Sequence, residues 1–458
     1  MEGKQSGSNS NSRMPKGIPY IIGNELAERF SYYGMKTILV IFMTKYLLDA
    51  SGKPDYMTPE QSKVWYHLFL MANYFFPILG AMLADIFWGK YRTIISLSIV
   101  YCAGHLALAL DETRIGLSLG LTMIALGSGG IKSCVSAHVG DQFKAENFHL
   151  LDKVYNLFYL AINIGAFFSI SLTPYLLREF GSHVAFGLPG LLMMAATIVF
   201  WFGRNRYTIV KPVGIKEYFK DFTKPEVQKS LAGLAVIYIF CAVFWALWEQ
   251  TGSSWVLQAD SIYVIKRINL VFWHFEIYPD QLQSLNAVFV ILFVPLFAFG
   301  VYPFISRFFP LTALRKISIG LFLMALSFVV IAWIEAQIQQ KIEVSIGWQA
   351  FAYMIYTASE VMVYGTGLAF SYAQAPKSMK SLIMGMYMLS ISLGNLITAL
   401  VNFFIQNPDG TSKLEGASYY WFFVWFMFIT SVIFIFVAKN YKERVYVQDS
   451  DTVPDPAL

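Results

Sequence analysis

From Glu25 to Leu48 the chain reads ELAERFSYYGMKTILVIFMTKYLL. The second half of this stretch is apolar enough to sit in hydrocarbon, yet Glu25, Glu28, Arg29 and Lys36 lie on the same continuous run. An ionisable side chain at mid-bilayer costs about 2.5–3.5 kcal/mol on insertion scales, so it survives only where it faces a cavity and finds a partner. Glu25 and Arg29 are four residues apart and share a helical face. Glu28 sits about one turn from Glu25, and Tyr32 one turn beyond Glu28 and Arg29. The stretch therefore reads as a membrane helix with one chemically active face.

The rest of the chain supports that reading. Of 458 residues, 56% are hydrophobic and 14% charged, against about 25% charged in soluble domains. Aromatic residues make up 17%, as expected where they populate interfaces and cavities. Apolar runs able to cross a bilayer are expected near 18–48, 63–87, 91–110, 115–140, 152–177, 183–203, 229–255, 280–305, 312–335, 349–372, 380–406 and 417–440. The fold class is thus an all-α polytopic membrane protein with twelve spans.

Twelve spans put both ends on one side, and basic residues choose the side. Of the 34 Lys and Arg residues, 22 lie in the tails and the even-to-odd loops and nine in the opposite loops; Arg29, Lys36 and Lys132 lie within spans. Both termini are expected to be cytoplasmic. The longest basic loop, 204–228, divides the chain into six-helix bundles at 17–203 and 229–440. An amphipathic helix near 215–222 is a minor expectation. The first 16 residues are polar, lack an apolar core and read as a tail, not a signal peptide; the acidic 441–458 reads likewise. Cys102, Cys134 and Cys241 fall in apolar segments and read as buried thiols. Pro77, Pro174, Pro189, Pro295, Pro303 and Pro376 interrupt spans or their ends.

Three further ionisable residues fall within spans: Lys132 in the fourth, Glu249 in the seventh and Glu360 in the tenth. The basic groups thus belong to the first half and the lone acids to the second. Such a dipolar box suits a zwitterion, its carboxylate toward Arg29 and Lys132 and its ammonium toward Glu360. A structural ion-pair network is the alternative. A carboxylate released from Arg29 by a competing substrate can take up a proton, which would couple the two movements. The sequence has no H-E-x-x-H, G-x-S-x-G or P-loop pattern, so an enzyme is not expected, and neither a metal nor a cofactor is implied.

These residues resemble the proton-coupled oligopeptide transporter (POT/PTR) family of the major facilitator superfamily over nearly the whole chain. ELAERFSYYG is similar to its E-x-x-E-R-F-x-Y-Y-G element. GAMLADIFWGKYRTI, GSGGIKSCVSAHVGDQF, INIGAFFS, FGLPG, LTALRKISIG and GLAFSYAQAP resemble further family segments in the same order. The resemblance implies a 6+6 fold with a central cavity and a proton-driven symporter of di- and tripeptides. It implies proton coupling by Glu25, Glu28 and Arg29, with His67 and Glu249. It places the peptide carboxylate on Arg29 and Lys132, its amino terminus on Glu360, and its backbone on Asn163 and Asn286. Tyr32, Tyr74 and Trp245 would line the pocket. Lys36 with Glu249 would close an outer gate, while Asp85 and Arg92, with Gly89 and Lys90, would latch the helices on the cytoplasmic side. His67 also fits a hydrogen-bonded interface histidine, and Trp245 also fits core packing.

The chain departs from the family pattern at Ala369, Tyr387 and Trp248, which bears on side-chain preference. The 204–228 loop has no room for the two extra helices of many bacterial members. The connector AQIQQKIEVSIGW excludes the large domain of animal ones. The resemblance therefore implies a bacterial inner-membrane protein, functional as a monomer. The intact E-x-x-E-R favours peptides over nitrate or another organic anion; a peptide sensor that does not cycle is a further alternative.

Overall fold

The computed structural model describes residues 13–144, 147, 150–216, 220, 224–270, 273–374, 380–408 and 411–441. The expected tails at 1–16 and 441–458 fall mostly outside the described residues, as do Pro376 and most of the 215–222 segment.

The opening stretch forms one uninterrupted helix, α1 (Ile18–Lys45), with Pro19 in its first turn, where a missing N–H costs nothing. Helix α2 (Pro59–Trp88) starts on a reciprocal cap in which Thr58 and Gln61 satisfy each other's backbone N–H groups. The chain continues through α3 (Lys90–Leu110) and α4 (Arg114–Asp141). One helical stretch, Leu151–Phe202, carries two passes: at Gly181 φ is +81°, so α5 (151–180) turns into α6 (182–202).

The second half begins with α7, Pro225–Trp248 with a short continuation through Ser254–Ala259. It goes on with α8 (Pro279–Ser306), α9 (Ala313–Gln339), α10 (347–373), α11 (Lys380–Ile405) and α12 (Ala417–Asn440). Between α7 and α8 the sequence reading placed only a loop. The structure puts there a hairpin of β2 (Arg267–Leu270) and β3 (Trp273–Glu276), beside β1 (Val264–Ile265), which pairs in parallel with β4 (Val344–Ser345).

Nine stretches among the described residues are long and apolar enough to cross a membrane, and the one from Lys153 to Asn205 contains both α5 and α6. Helices α1 and α10 complete twelve passes; both carry charge at mid-length. The expected span starts were late at α2, because a capping turn with Glu60 and Lys63 precedes the apolar run.

Among the described residues four passes contain a π-helical stretch: α2 at Leu83–Trp88, α4 at Ala125–Gly129, α8 at Phe297–Val301 and α10 at Val361–Gly365. Second and fourth helices of each half are thus interrupted alike. Such widened turns often lie at functional sites because they re-aim the side chains next to them. Here Lys132 follows one and Glu360 precedes another. Helices approach closely beside them: a β-carbon at Gly80 would collide with the carbonyl oxygen of Gly130. The carbonyls near two of the interrupting prolines are taken up by side chains, Pro77 by Ser133 and Pro189 by Ser31.

Each half has its own apolar core, and α2 runs along α11 at the seam between them. The end of the bundle where α1 finishes is called here the Asp280 face, and the opposite end the Asp141 face.

Candidate functional site

Arg29 is the hub on α1. Its Nε lies 2.6 Å from Glu25 and 3.1 Å from Glu28, and both carboxylates are buried. Ser128, in the widened turn of α4, donates to Glu28 at 2.9 Å. The spacing read from sequence therefore gives a real triad, and Ser128 is a member that sequence spacing could not reveal, because it lies 100 residues away.

Lys132 is a cation without a carboxylate partner among the described residues. Its ammonium instead sits 4.0 Å above the Tyr32 ring and 4.8 Å from that of Tyr74. The Tyr32 hydroxyl is held by the Asn73 amide at 2.8 Å. Aromatic faces hold a cation while leaving its N–H groups free for an anion. The charges of Glu28, Arg29, Lys36 and Glu249 all reach Lys132.

Across the seam, Asn286 on α8 donates to Glu360 on α10 at 2.5 Å and to Thr357 at 3.2 Å. The charges of Lys36 and Glu249 reach Glu360. Lys36 and Glu249 lie between the two walls and act on both. Trp245 is 2% exposed and packs edge-on against Phe244, Trp248, Tyr364 and Tyr387. It backs the wall and does not open onto it, since its neighbours cover it. Asn163 donates to the Tyr159 carbonyl of its own helix at 2.8 Å, which leaves its amide oxygen for other partners.

The Asp280 face is tied shut across the seam. Lys36 and Glu249 form a buried pair at 2.6 Å. Arg178 on α5 grips Asp280 with two nitrogens, at 2.9 and 3.1 Å. Lys45 meets Asp260 at 2.5 Å. His67 on α2 is fully buried, with Asn395 at 2.8 Å on Nδ1 and Ser253 at 2.9 Å on Nε2. The Asn395 amide nitrogen donates to Ile391, so its oxygen faces His67 and Nδ1 carries the proton. His67 is thus a bridge between the halves, the interface role the sequence left open. The Arg178, Lys45 and His67 contacts join residues more than 100 positions apart, where no local pattern signals them.

In the cluster of Asp85, Gly89, Lys90 and Arg92, the ties run to α4 and to the linker. Asp85 and Arg92 form no ion pair with each other among the described residues. Lys90 bonds Asp141 at 2.7 Å instead, and Arg92 is exposed. Gly89, at φ +77°, turns the chain between α2 and α3. The Asp85 carbonyl accepts from Val213 of the 204–228 linker.

Comparison with known proteins identifies the family. The POT family pattern matches residues 91–224 and 209–422. The chain is 36% identical over 373 residues to the Drosophila melanogaster protein called Peptide transporter family 1, covering 71% of this chain and 48% of that one. It is 36% identical over 378 residues to human Solute carrier family 15 member 2, covering 72% and 50%. The chain spans about half the length of the curated relatives it matches. Among solved structures it superimposes on an auto-inhibited POT family peptide transporter with a TM-score of 0.84 at 32% identity, covering 95% of this chain and 99% of that one. The POT family transporter PepTSo gives 0.84 at 33%, covering 94% and 99%. With the family pattern matched from residue 91 to 422 and the whole fold superimposing on POT transporters, this chain belongs to the POT family.

Proposed function

We propose that the protein is a proton-driven symporter of di- and tripeptides that works by alternating access, as a monomer, with both termini cytoplasmic and the Asp280 face outward. A bacterial inner membrane fits the short connector between α9 and α10, which has no room for the large domain of animal members. The observation that carries the reading is Lys132, a buried cation held by two aromatic rings and joined to no carboxylate among the described residues, while Glu360 on the other half is held by Asn286. A peptide carboxylate would take Lys132 and compete for Arg29; its ammonium would take Glu360; Asn286 and Asn163 offer backbone partners. The names of the relatives as peptide transporters support this substrate class.

Coupling follows from the triad. In this structure Arg29 sits between Glu25 and Glu28 and pairs with both. When the peptide carboxylate draws Arg29 away, a buried carboxylate is left unpaired and gains by taking a proton. Lys36, Glu249 and His67 would release the Asp280 face in the other half of the cycle. Each proton moving down about 100 mV supplies about 2.3 kcal/mol, roughly 50-fold accumulation of a net-neutral solute.

The test is uptake of a labelled dipeptide into proteoliposomes driven by a pH gradient, with Ala-Ala, free alanine and nitrate as competitors. Competition by Ala-Ala alone is expected. Uptake of nitrate untouched by Ala-Ala would make the protein an anion carrier; peptide binding with no flux would make it a sensor. Glu28→Gln should lose uphill uptake and keep peptide exchange.

A further inference from the structure

On the Asp280 face a cleft of 380 Å³ opens between the two halves, lined by neither Arg29 nor Glu360. Its volume is within the range of small-molecule sites. One wall is the first turns of α2, with Glu60 and Lys63; the other is the second half, with Gln258, Glu335 and Tyr419. Lys63 is only 6% exposed. Its ammonium lies 4.0 Å above the ring of Tyr419, across the seam, and 3.6 Å from the Glu60 carboxylate, a long ion pair. This buried cation thus has one loose carboxylate partner on its own helix, and it lines an open volume. Opposite, Glu335 accepts from Gln258 at 2.7 Å, and the same amide nitrogen is fixed by the Ile331 carbonyl at 3.1 Å.

The arrangement repeats the chemistry of the central site. In each, the first half supplies a lysine over a tyrosine ring, and the second supplies a glutamate oriented by a side-chain amide. We propose that the cleft is a second recognition site for the two ends of a short peptide, carboxylate on Lys63 and ammonium on Glu335, and that a peptide seated there holds the Asp280 face closed. The inference rests on the peptide-transport reading for its ligand. Because the walls come from different halves, the ligand meets both only when this face is shut, and it shifts the equilibrium by its differential affinity for that state. Peptide at high concentration on this side therefore slows the return to the open arrangement and limits its own uptake.

The test uses the purified full chain and Ala-Ala. Equilibrium binding is expected to show a tighter and a weaker class of site. Lys63→Met and Glu335→Gln each remove the weaker class and leave the tighter; Lys132→Ala does the reverse. In proteoliposomes, uptake should rise with Ala-Ala and then fall about tenfold as the weaker class fills, the change that about 1.4 kcal/mol of differential binding gives. Lys63→Met should abolish the fall and leave uptake at low concentration unchanged. A single class of site untouched by both cleft variants overturns the proposal. So does a Lys63→Met protein that loses uptake equally at all concentrations, which would mark Lys63 as a seam contact only. Loss of the tighter class alone in the unmodified protein would instead overturn the transport reading and leave the cleft standing.

Discussion

The two halves share a scaffold and oppose each other in charge. Helices α2 and α8, and α4 and α10, widen into π-turns in corresponding places. Yet every inter-half ion pair among the described residues takes its base from the first half and its acid from the second: Lys36 with Glu249, Lys45 with Asp260, Arg178 with Asp280. The site between them follows the same rule, with Arg29 and Lys132 on one side and Glu360 on the other. A repeated scaffold supplies two equivalent rigid bodies; opposite charge makes their shared surface attractive in one register. The same polarity that shuts the Asp280 face suits a ligand that carries one charge at each end.

That contrast is broken most severely at Lys36. Lys36→Glu sets two carboxylates together where a buried pair stood, and disrupting such a pair costs about 3–5 kcal/mol. Dipeptide uptake in proteoliposomes should fall by more than about 100-fold. Exchanging the partners, Lys36→Glu with Glu249→Lys, should restore a measurable part of it. If the exchange restores none while the protein stays folded, the polarity between halves is not what these residues contribute. Lys132→Ala comes next. Hydrogen bonds to a charged group are worth about 1.5–3 kcal/mol each, so affinity for Ala-Ala should drop roughly 10- to 100-fold. An amidated dipeptide, which lacks the carboxylate, should bind parent and variant alike.

Arg178→Lys is milder, because it keeps the charge and loses only the two-pronged grip on Asp280. A change of about 1 kcal/mol in closure of the Asp280 face is expected, read as a several-fold faster reaction of a cysteine probe placed behind the pair. No change in labelling would mean that Lys45–Asp260 and Lys36–Glu249 already saturate closure.

The sequence made the first of these contacts legible and hid the others for a physical reason. Glu25, Glu28 and Arg29 are neighbours on one helix, so spacing alone brings them together. Lys36, Lys132, Glu249 and Glu360 are conspicuous singly because charge in an apolar run has to be compensated. Arg178, Asp280, Lys45 and Asp260 sit at helix ends, where charge is ordinary, and their pairing depends on how the halves dock. Neutral partners such as Ser128, Asn73, Ser253 and Asn395 carry no mark in composition at all.

The smallest effect belongs to a pair that stays within the first half and in water. Asp55 and Arg114 meet at 2.5 Å on the Asp280 face, each side chain 38% exposed, tying the α1–α2 loop to the start of α4. Exposed pairs contribute little because solvent already screens both charges. Hydrogen bonding from Arg114 holds the Asp55 carboxyl below the usual carboxylate range. A carboxyl with a depressed folded-state pKa stabilises the fold at pH values above its unfolded-state pKa, and that contribution disappears as pH falls through the folded-state value. Arg114→Ala should therefore leave uptake unchanged and lower thermal stability in detergent slightly at neutral pH, and the gap from the parent should close on acidification. A gap that persists in acid would mean that Arg114 acts by packing the loop and not by charge. A loss of uptake as large as that of Lys36→Glu would show that pairs within a half matter as much as pairs between halves, and the division of labour drawn from the seam would fail.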